Sequence, residues 1–489
     1  MSTAVSVPLW FFLVLVLLAV WAIGVLLLAP GMRWFFRGRV NAVIQEINTR
    51  LRVELPSFKL TRREVLIDRL FHDPALQAAA EAHAREHGEP LIEVRRRIDR
   101  YAREIVPSFN AYLYFRIGYW VAKTVARALY RVRLGYADEA GLAAVDPKST
   151  VVFVMNHRSN MDYVLVAFLA AERVALSYAV GEWARVWPLQ ALIRSMGAYF
   201  VRRNSGDPLY RTVLARYVRM ATEAGVPQAL FPEGGLTVDG ALRTPKFGLL
   251  DYMVKSFRAD GERDLVYIPV GLNYDRVLED RSQLLKLGER PARRGLPAAL
   301  ATTLAYVGRN VWLMLSGRWH RLGYACVNFG SPVSMREYVE KRGIDFAALD
   351  EAGRRAEVEL LGRHLMRAIG GVIPVVPVAL VAQVFRPAPQ RALSELEIKS
   401  AACALLADWE ARGAHTYIPR HDRDYAIGVG LRMLLLRHVV EECDGLYRPV
   451  EANLAVLAYY ANSIAHLGGG TEIVPVAAAG EAAGLGVTS

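Results

Sequence analysis

His157 and Asp162 stand five residues apart in the segment NHRSNMD, directly after the apolar run VVFVM. An imidazole that titrates near neutrality can take the proton of an acceptor hydroxyl while that oxygen attacks a thioester carbonyl. A carboxylate within reach fixes the tautomer of the ring and balances the charge that develops on it. Taken alone the spacing is a weak signal, because ten histidines make roughly half a chance Asp at the fifth position expected in a chain of ordinary composition. A turn histidine that caps a helix is the plain alternative.

Three further groupings follow in order. Arg202 and Arg203 close the segment GAYFVRR behind a short apolar strand, and their guanidinium forks match a phosphate in a bidentate way that lysine cannot copy. Glu233, Gly234 and Gly235 in FPEGG end a strand in a flexible turn whose backbone N–H groups can approach an anion or an oxyanion, with Lys246 adding a point charge further on. A plain tight turn is the other account of the glycines. In VYIPVGLNYDRVLED, Pro269 shapes a strand end, while Asn273 and Tyr274 either line the pocket or serve the structure alone.

Four such blocks in this order resemble the glycerophospholipid acyltransferase superfamily with its His-four-residues-Asp motif. The resemblance runs from about Leu55 to Leu467 and is greatest to the long first-step enzymes, the glycerol-3-phosphate and dihydroxyacetone-phosphate acyltransferases. HRSNMDY, NYDRVLED, VIPVVPVALVA and LAYYANSIAHL carry it beyond the core of the motif. It implies His157 and Asp162 as catalytic residues, with Arg158, Ser159, Arg202, Arg203, Glu233, Gly234, Gly235 and Lys246 binding substrate. The implied reaction moves a fatty acyl group from acyl-CoA or acyl carrier protein to the sn-1 hydroxyl of glycerol 3-phosphate and gives lysophosphatidate. Lysophosphatidate or dihydroxyacetone phosphate as acceptor is the alternative. No cofactor or metal is implied, since acyl transfer from a thioester runs by base-assisted attack with oxyanion stabilisation, and no His/Cys/Asp ligand cluster stands out.

One departure bears on the acceptor. Those enzymes carry Arg-Ser after the Glu-Gly-Gly and a further basic residue after that pair, where this chain has Leu236, Thr237 and Val238. Charge-assisted bonds of ~1.5–3 kcal/mol each are then missing from that place, so either the acceptor differs or Arg202, Arg203, Arg243 and Lys246 hold its phosphate instead. The same departure keeps a non-enzymatic reading open, a membrane-anchored lipid-binding or scaffold protein, against which the intact His157 and Asp162 count.

The elements that must position these residues read as an α/β acyltransferase core, a mixed sheet flanked by helices, with helical N- and C-terminal regions and one N-terminal transmembrane helix. Short apolar runs ending in turn residues, VVFVM, QALF, LVYIPVG and ACVNFG, are buried strands, and DYVLVAFLAA and LYRTVLARYVRMATEA between them are helices. The expected organisation is an anchor over residues 1–31, a helical region over 32–134, the α/β core over 135–345, and a helical region with a loose tail over 346–489. The Gly370–Phe385 stretch is too short and too broken by Pro374 and Pro377 to be a second span, and reads as a buried or interfacial helix.

The anchor is the uninterrupted apolar run from Pro8 to Ala29, long enough at ~1.5 Å per residue to cross a ~30 Å hydrocarbon layer. No Lys or Arg precedes it, which argues against a cleaved secretory signal. Arg33, Arg37 and Arg39 follow it and put the body on the cytoplasmic side of the inner membrane. Lys and Arg outnumber Asp and Glu by 60 to 48, a surplus that suits contact with anionic phospholipid. Nucleic-acid binding lacks a basic arm, a zinc-ligand spacing or an aromatic RNA-binding signature. Cys326, Cys403 and Cys443 are odd in number and far apart, so reduced, mostly buried thiols are expected.

Overall fold

The computed structural model describes residues 56–170, 176–181, 189–202, 205–255, 257–286 and 321–468. The Pro8–Ala29 run, the arginines after it, Arg203 and the tail from Thr471 lie outside them. Among the described residues no helix is long and apolar enough to cross a membrane.

Eight strands form the main sheet: β1 (Arg131–Ala137), β2 (Thr150–Met155), β3 (Ser177–Val180), β4 (Tyr199–Phe200), β5 (Gln228–Leu230), β6 (Leu265–Tyr274), β7 (Tyr324–Phe329) and β8 (Val333–Ser334). Their order is β1-β7-β6-β2-β5-β3-β4, with β8 beside β6. β6, β2, β5, β3 and β4 run parallel, and β7 joins β6 antiparallel with Val270 opposite Phe329. β1 pairs parallel with β7, so the sheet is mixed. All ten residues of β6 are buried, which explains why LVYIPVGLNY reads as a continuous apolar run rather than an alternating one.

Apart from Phe231 and Gly330, which close their runs just past a strand end, the runs VVFVM, QALF, LVYIPVG and ACVNFG fall on strands of this sheet. The helix Pro208–Glu223 starts where Asp207 accepts from the N–H groups of Leu209 and Tyr210 and Pro208 opens the first turn. The helix Met161–Ala170 follows the polar turn after β2.

Two features differ from the sequence reading. The border between the helical region and the core, set at residue 135, falls inside β1, whose RVRLGYA is largely exposed and lacks the apolar run that marks a buried strand. The C-terminal region is not wholly helical, because β9 (Leu393–Ser394), β10 (Val440–Cys443) and β11 (Leu446–Pro449) form a small antiparallel sheet. Within Gly370–Phe385, the segment Pro377–Phe385 is a helix with every residue buried. Cys326 is buried, but Cys443 is exposed on β10.

The C-terminal region docks on the carboxyl half of β6 through buried polar contacts. Asn273 Nδ2 donates to the Pro374 carbonyl at 2.9 Å, and Asp275 accepts from the N–H of Tyr324 at 2.7 Å and of Val378 at 3.0 Å. Arg437 donates to Asp280 at 2.6 Å, and Tyr460 donates to the same oxygen. The helix Glu351–Val372 ends so close to β6 that a Cβ on Gly271 would stand 2.2 Å from the Val372 carbonyl oxygen. Only glycine permits that approach.

Candidate active site

β2 lies between β5 and β6, and the turns that leave the carboxyl ends of β2 and β5 meet. A parallel sheet gathers its loops at that edge, where ligands bind. The β2 turn carries His157 and Arg158; the β5 turn carries Glu233 and Gly234. The two are stitched together: the His157 N–H donates to Glu233 Oε1 at 2.8 Å, and the Thr237 N–H donates to the His157 carbonyl at 2.9 Å.

His157 Nδ1 is 2.9 Å from Asp162 Oδ2, with both side chains buried. The same oxygen accepts from the N–H groups of Arg158 at 2.7 Å and Ser159 at 3.0 Å. Tyr274, at the end of β6, donates its hydroxyl to the other oxygen, Oδ1. Burial first, and then the adjacent Asp162 charge, push the Tyr274 phenol well above its ordinary value, so it stays a neutral donor. With Nδ1–H held by the carboxylate, Nε2 is the nitrogen that can accept a proton. Phe231 lies against the imidazole at 4.1 Å between ring centroids and Tyr163 meets it edge-on at 5.4 Å, which fixes the ring plane.

A further layer holds the turn. Ser159 Oγ donates to Glu279 Oε2 at 2.7 Å, and the Asn160 N–H and Nδ2 donate to Glu279 Oε1 at 3.2 and 3.0 Å. Ser159 therefore belongs to the scaffold of the turn. Glu233 is fully buried, and its second oxygen accepts from the Arg243 N–H at 3.1 Å. Burial lifts its carboxyl to about 8 against the opposing pull of those N–H groups and of Arg158 and Arg243.

Gly234 adopts φ +66, and a Cβ there would stand 2.6 Å from the Lys246 side chain. Glycine is required both by that backbone conformation and by the contact. Lys246 thus lies over the glycine turn with its side chain exposed. Arg158 reaches across to donate from Nη1 to the Gly240 carbonyl at 2.8 Å. Leu236 and Val238 are half-buried, and Arg243 Nη1 donates to the Leu236 carbonyl at 3.2 Å.

Arg202 does not stand as a free phosphate fork. Its Nε and Nη2 both donate to Glu104, at 2.8 and 2.6 Å, and its guanidinium lies 5.0 Å from the rings of Tyr101 and Tyr210. The reason is that the amphipathic helix Leu91–Ile105 brings Glu104 to the end of β4, a contact that no local pattern announces. Tyr274 as a donor to Asp162, Glu279 as an acceptor for the turn, and Thr237 as its tie to the glycine loop were equally missed. The tyrosine and glutamate did lie within a recognised block.

The four blocks and much of the remaining chain have counterparts in known proteins. Residues 138–273 match the acyltransferase family model, and residues 310–468 match the model of the glycerol-3-phosphate acyltransferase C-terminal region. A glycerol-3-phosphate acyltransferase of Xylella fastidiosa (strain M23) is 24% identical over 441 residues, 88% of this chain and 50% of that protein. One from Pseudomonas putida (strain KT2440) is 26% identical over 423 residues, 83% of this chain and 49% of that protein. The chain spans about half the length of the curated relatives it matches. Among solved structures, the 1-acyl-sn-glycerophosphate acyltransferase of Thermotoga maritima overlaps 52% of this chain and 78% of its own at 16% identity and a TM-score of 0.30.

Proposed function

Because the chain belongs to the glycerophospholipid acyltransferase family, we propose that it transfers a fatty acyl group from a thioester donor to the sn-1 hydroxyl of glycerol 3-phosphate. The observation that carries this reading is the buried His157–Asp162 pair, with Nδ1 tied to the carboxylate and Nε2 left as base. Nε2 takes the hydroxyl proton as the oxygen attacks the thioester carbon. The new C–O bond forms, the C–S bond breaks, and the imidazolium returns its proton to the departing thiolate. Asp162 keeps its charge throughout and stabilises the imidazolium.

The donor is acyl-CoA or acyl carrier protein. Removal of the base tests the reading: His157→Ala is expected to stay folded by circular dichroism and to lose at least ~10²-fold in acyl transfer to glycerol 3-phosphate. Near wild-type turnover would take His157 out of the mechanism. Transfer only to dihydroxyacetone phosphate or lysophosphatidate would change the acceptor, and transfer to none by the wild type would favour a lipid-binding scaffold.

We place the protein at the inner membrane, held by the Pro8–Ala29 run with the catalytic body on the cytoplasmic side. The arginines after that run and the net charge of +12 support this. A tag placed after Arg39 should be shielded from membrane-impermeant reagents in intact cells. Labelling from outside would reverse the orientation.

A further inference from the structure

Arg131, Arg133 and Arg420 are exposed, and Tyr324, Tyr417 and Tyr425 join them into one connected group. Arg131 Nη1 lies 3.5 Å from the Tyr324 hydroxyl, and the same side chain bonds to the Tyr425 hydroxyl. Arg133 Nε donates to the Tyr417 hydroxyl at 3.0 Å, and the rings of Tyr324 and Tyr417 are 5.3 Å apart. The Arg420 guanidinium lies 4.2 Å from the centroid of the Tyr425 ring. Arginine and tyrosine thus alternate across β1, β7 and the C-terminal region.

Among the described residues, none of these three guanidiniums is bonded to a carboxylate. A phenol holds a guanidinium in place without cancelling its charge. The acids that follow in the chain are engaged elsewhere: Asp422 caps the helix Arg423–Leu436, and Asp424 faces Lys399 at 3.9 Å. Burial pushes the Tyr425 phenol up, but the bond from Arg131 and the charge of Arg420 outweigh it and hold the group below its ordinary value. Arg420 reaches that ring from a backbone of φ 61, a left-handed conformation that is costly for any residue but glycine. Strain of this kind clusters at ligand clamps.

The array begins at the catalytic edge of the sheet. Arg131 is opposite Tyr324, and the next residue of β7, Ala325, is opposite Tyr274, the donor to Asp162. Tyr130 packs its ring 5.3 Å from that of Tyr274. β7 and β6 separate β1 from β2, which puts the two about 14 Å apart at ~4.8 Å per strand spacing. A partner docked on β1 therefore needs a flexible arm to bring a thioester to His157. Cations spread over an open surface match a row of carboxylates on a protein, whereas a single phosphate calls for donors that converge on one point.

We propose that this array docks the acidic face of acyl carrier protein, so that the acyl chain is delivered to His157 on the arm of a protein. The inference rests on the acyl-transfer reading of His157 and goes beyond it in choosing between the two donors.

The test is steady-state transfer to glycerol 3-phosphate by the full chain in detergent, for the wild type, Arg133→Glu and Arg420→Gly. Palmitoyl-acyl carrier protein and palmitoyl-CoA serve as donors. Arg420→Gly removes the cation and relieves the left-handed backbone, so its melting temperature should stay close to that of the wild type. With the carrier protein, kcat/KM should fall at least about tenfold in Arg133→Glu and about threefold in Arg420→Gly, through KM. The kcat, and both constants for palmitoyl-CoA, should stay within about twofold of the wild type. Added salt should lower the wild-type kcat/KM for the carrier protein more steeply than that of either variant.

Unchanged kcat/KM for the carrier protein in both variants would overturn the docking surface and leave the acyl-transfer reading intact. An equal or larger fall with palmitoyl-CoA would assign the array to the phosphates of coenzyme A and overturn the proposal, as would transfer by the wild type from palmitoyl-CoA alone. If the wild type transfers from neither donor, the acyl-transfer reading fails and the docking surface falls with it.

Discussion

At the scale of single residues, the catalytic pair depends on a donor from far along the chain. Tyr274 gives Asp162 a bond at Oδ1, and three other donors converge on Oδ2. With Tyr274→Phe the carboxylate loses its donor at Oδ1 and is held less firmly against the ring. The expected result is a kcat lowered by about tenfold with little change in acceptor KM. A kcat equal to that of the wild type would make Tyr274 a packing residue only. His157 and Asp162 were legible because five residues and one turn bring them together. Tyr274 and Glu279 were not, because each reaches the turn from a separate element and nothing local in the sequence fixes that meeting.

At the scale of elements, apolar runs gave away the buried strands, and the segment LYRTVLARYVRMATEA between two of them gave away the helix that follows Asp207. β1 escaped because its arginines face solvent on a sheet edge. The same limit hid the partner of Arg202. That side chain fastens the helix Leu91–Ile105 to the end of β4 through Glu104, and Tyr101 on the same helix donates to Asp207 at 2.5 Å. Arg202→Ala would leave Glu104, whose side chain is 15% exposed, without its two donors. Stability should fall by about 1–3 kcal/mol in urea unfolding, while acceptor KM stays within about twofold. A large rise in KM with unchanged stability would instead return Arg202 to the phosphate.

At the scale of the whole molecule, buried carboxyls couple stability to pH. Glu233 is lifted from 4.5 to about 8 and Asp275 from 3.8 to about 6, both by burial. The folded chain therefore holds protons that the unfolded chain releases, and stability falls as pH rises through the interval between the unfolded and folded values. Glu233 contributes up to about 5 kcal/mol of that fall between roughly pH 4.5 and 8. Urea unfolding of Glu233→Gln should show a flatter pH dependence over this interval, on top of a uniform loss from an amide N–H₂ facing a backbone donor. An unchanged slope would mean that the two N–H bonds already keep Glu233 ionised. Much of the chain must be present before the site is complete. β1 waits for β7 to fill its place, with Arg131 opposite Tyr324, and Asp280 waits for Arg437 and Tyr460. A ribosome that has just released β6 has made the base and the acid of the pair but not the elements that enclose them. Pairings so distant along the chain form late and slowly, so the nascent protein emerges with its apolar strands exposed and its catalytic turn unbraced until synthesis is nearly over.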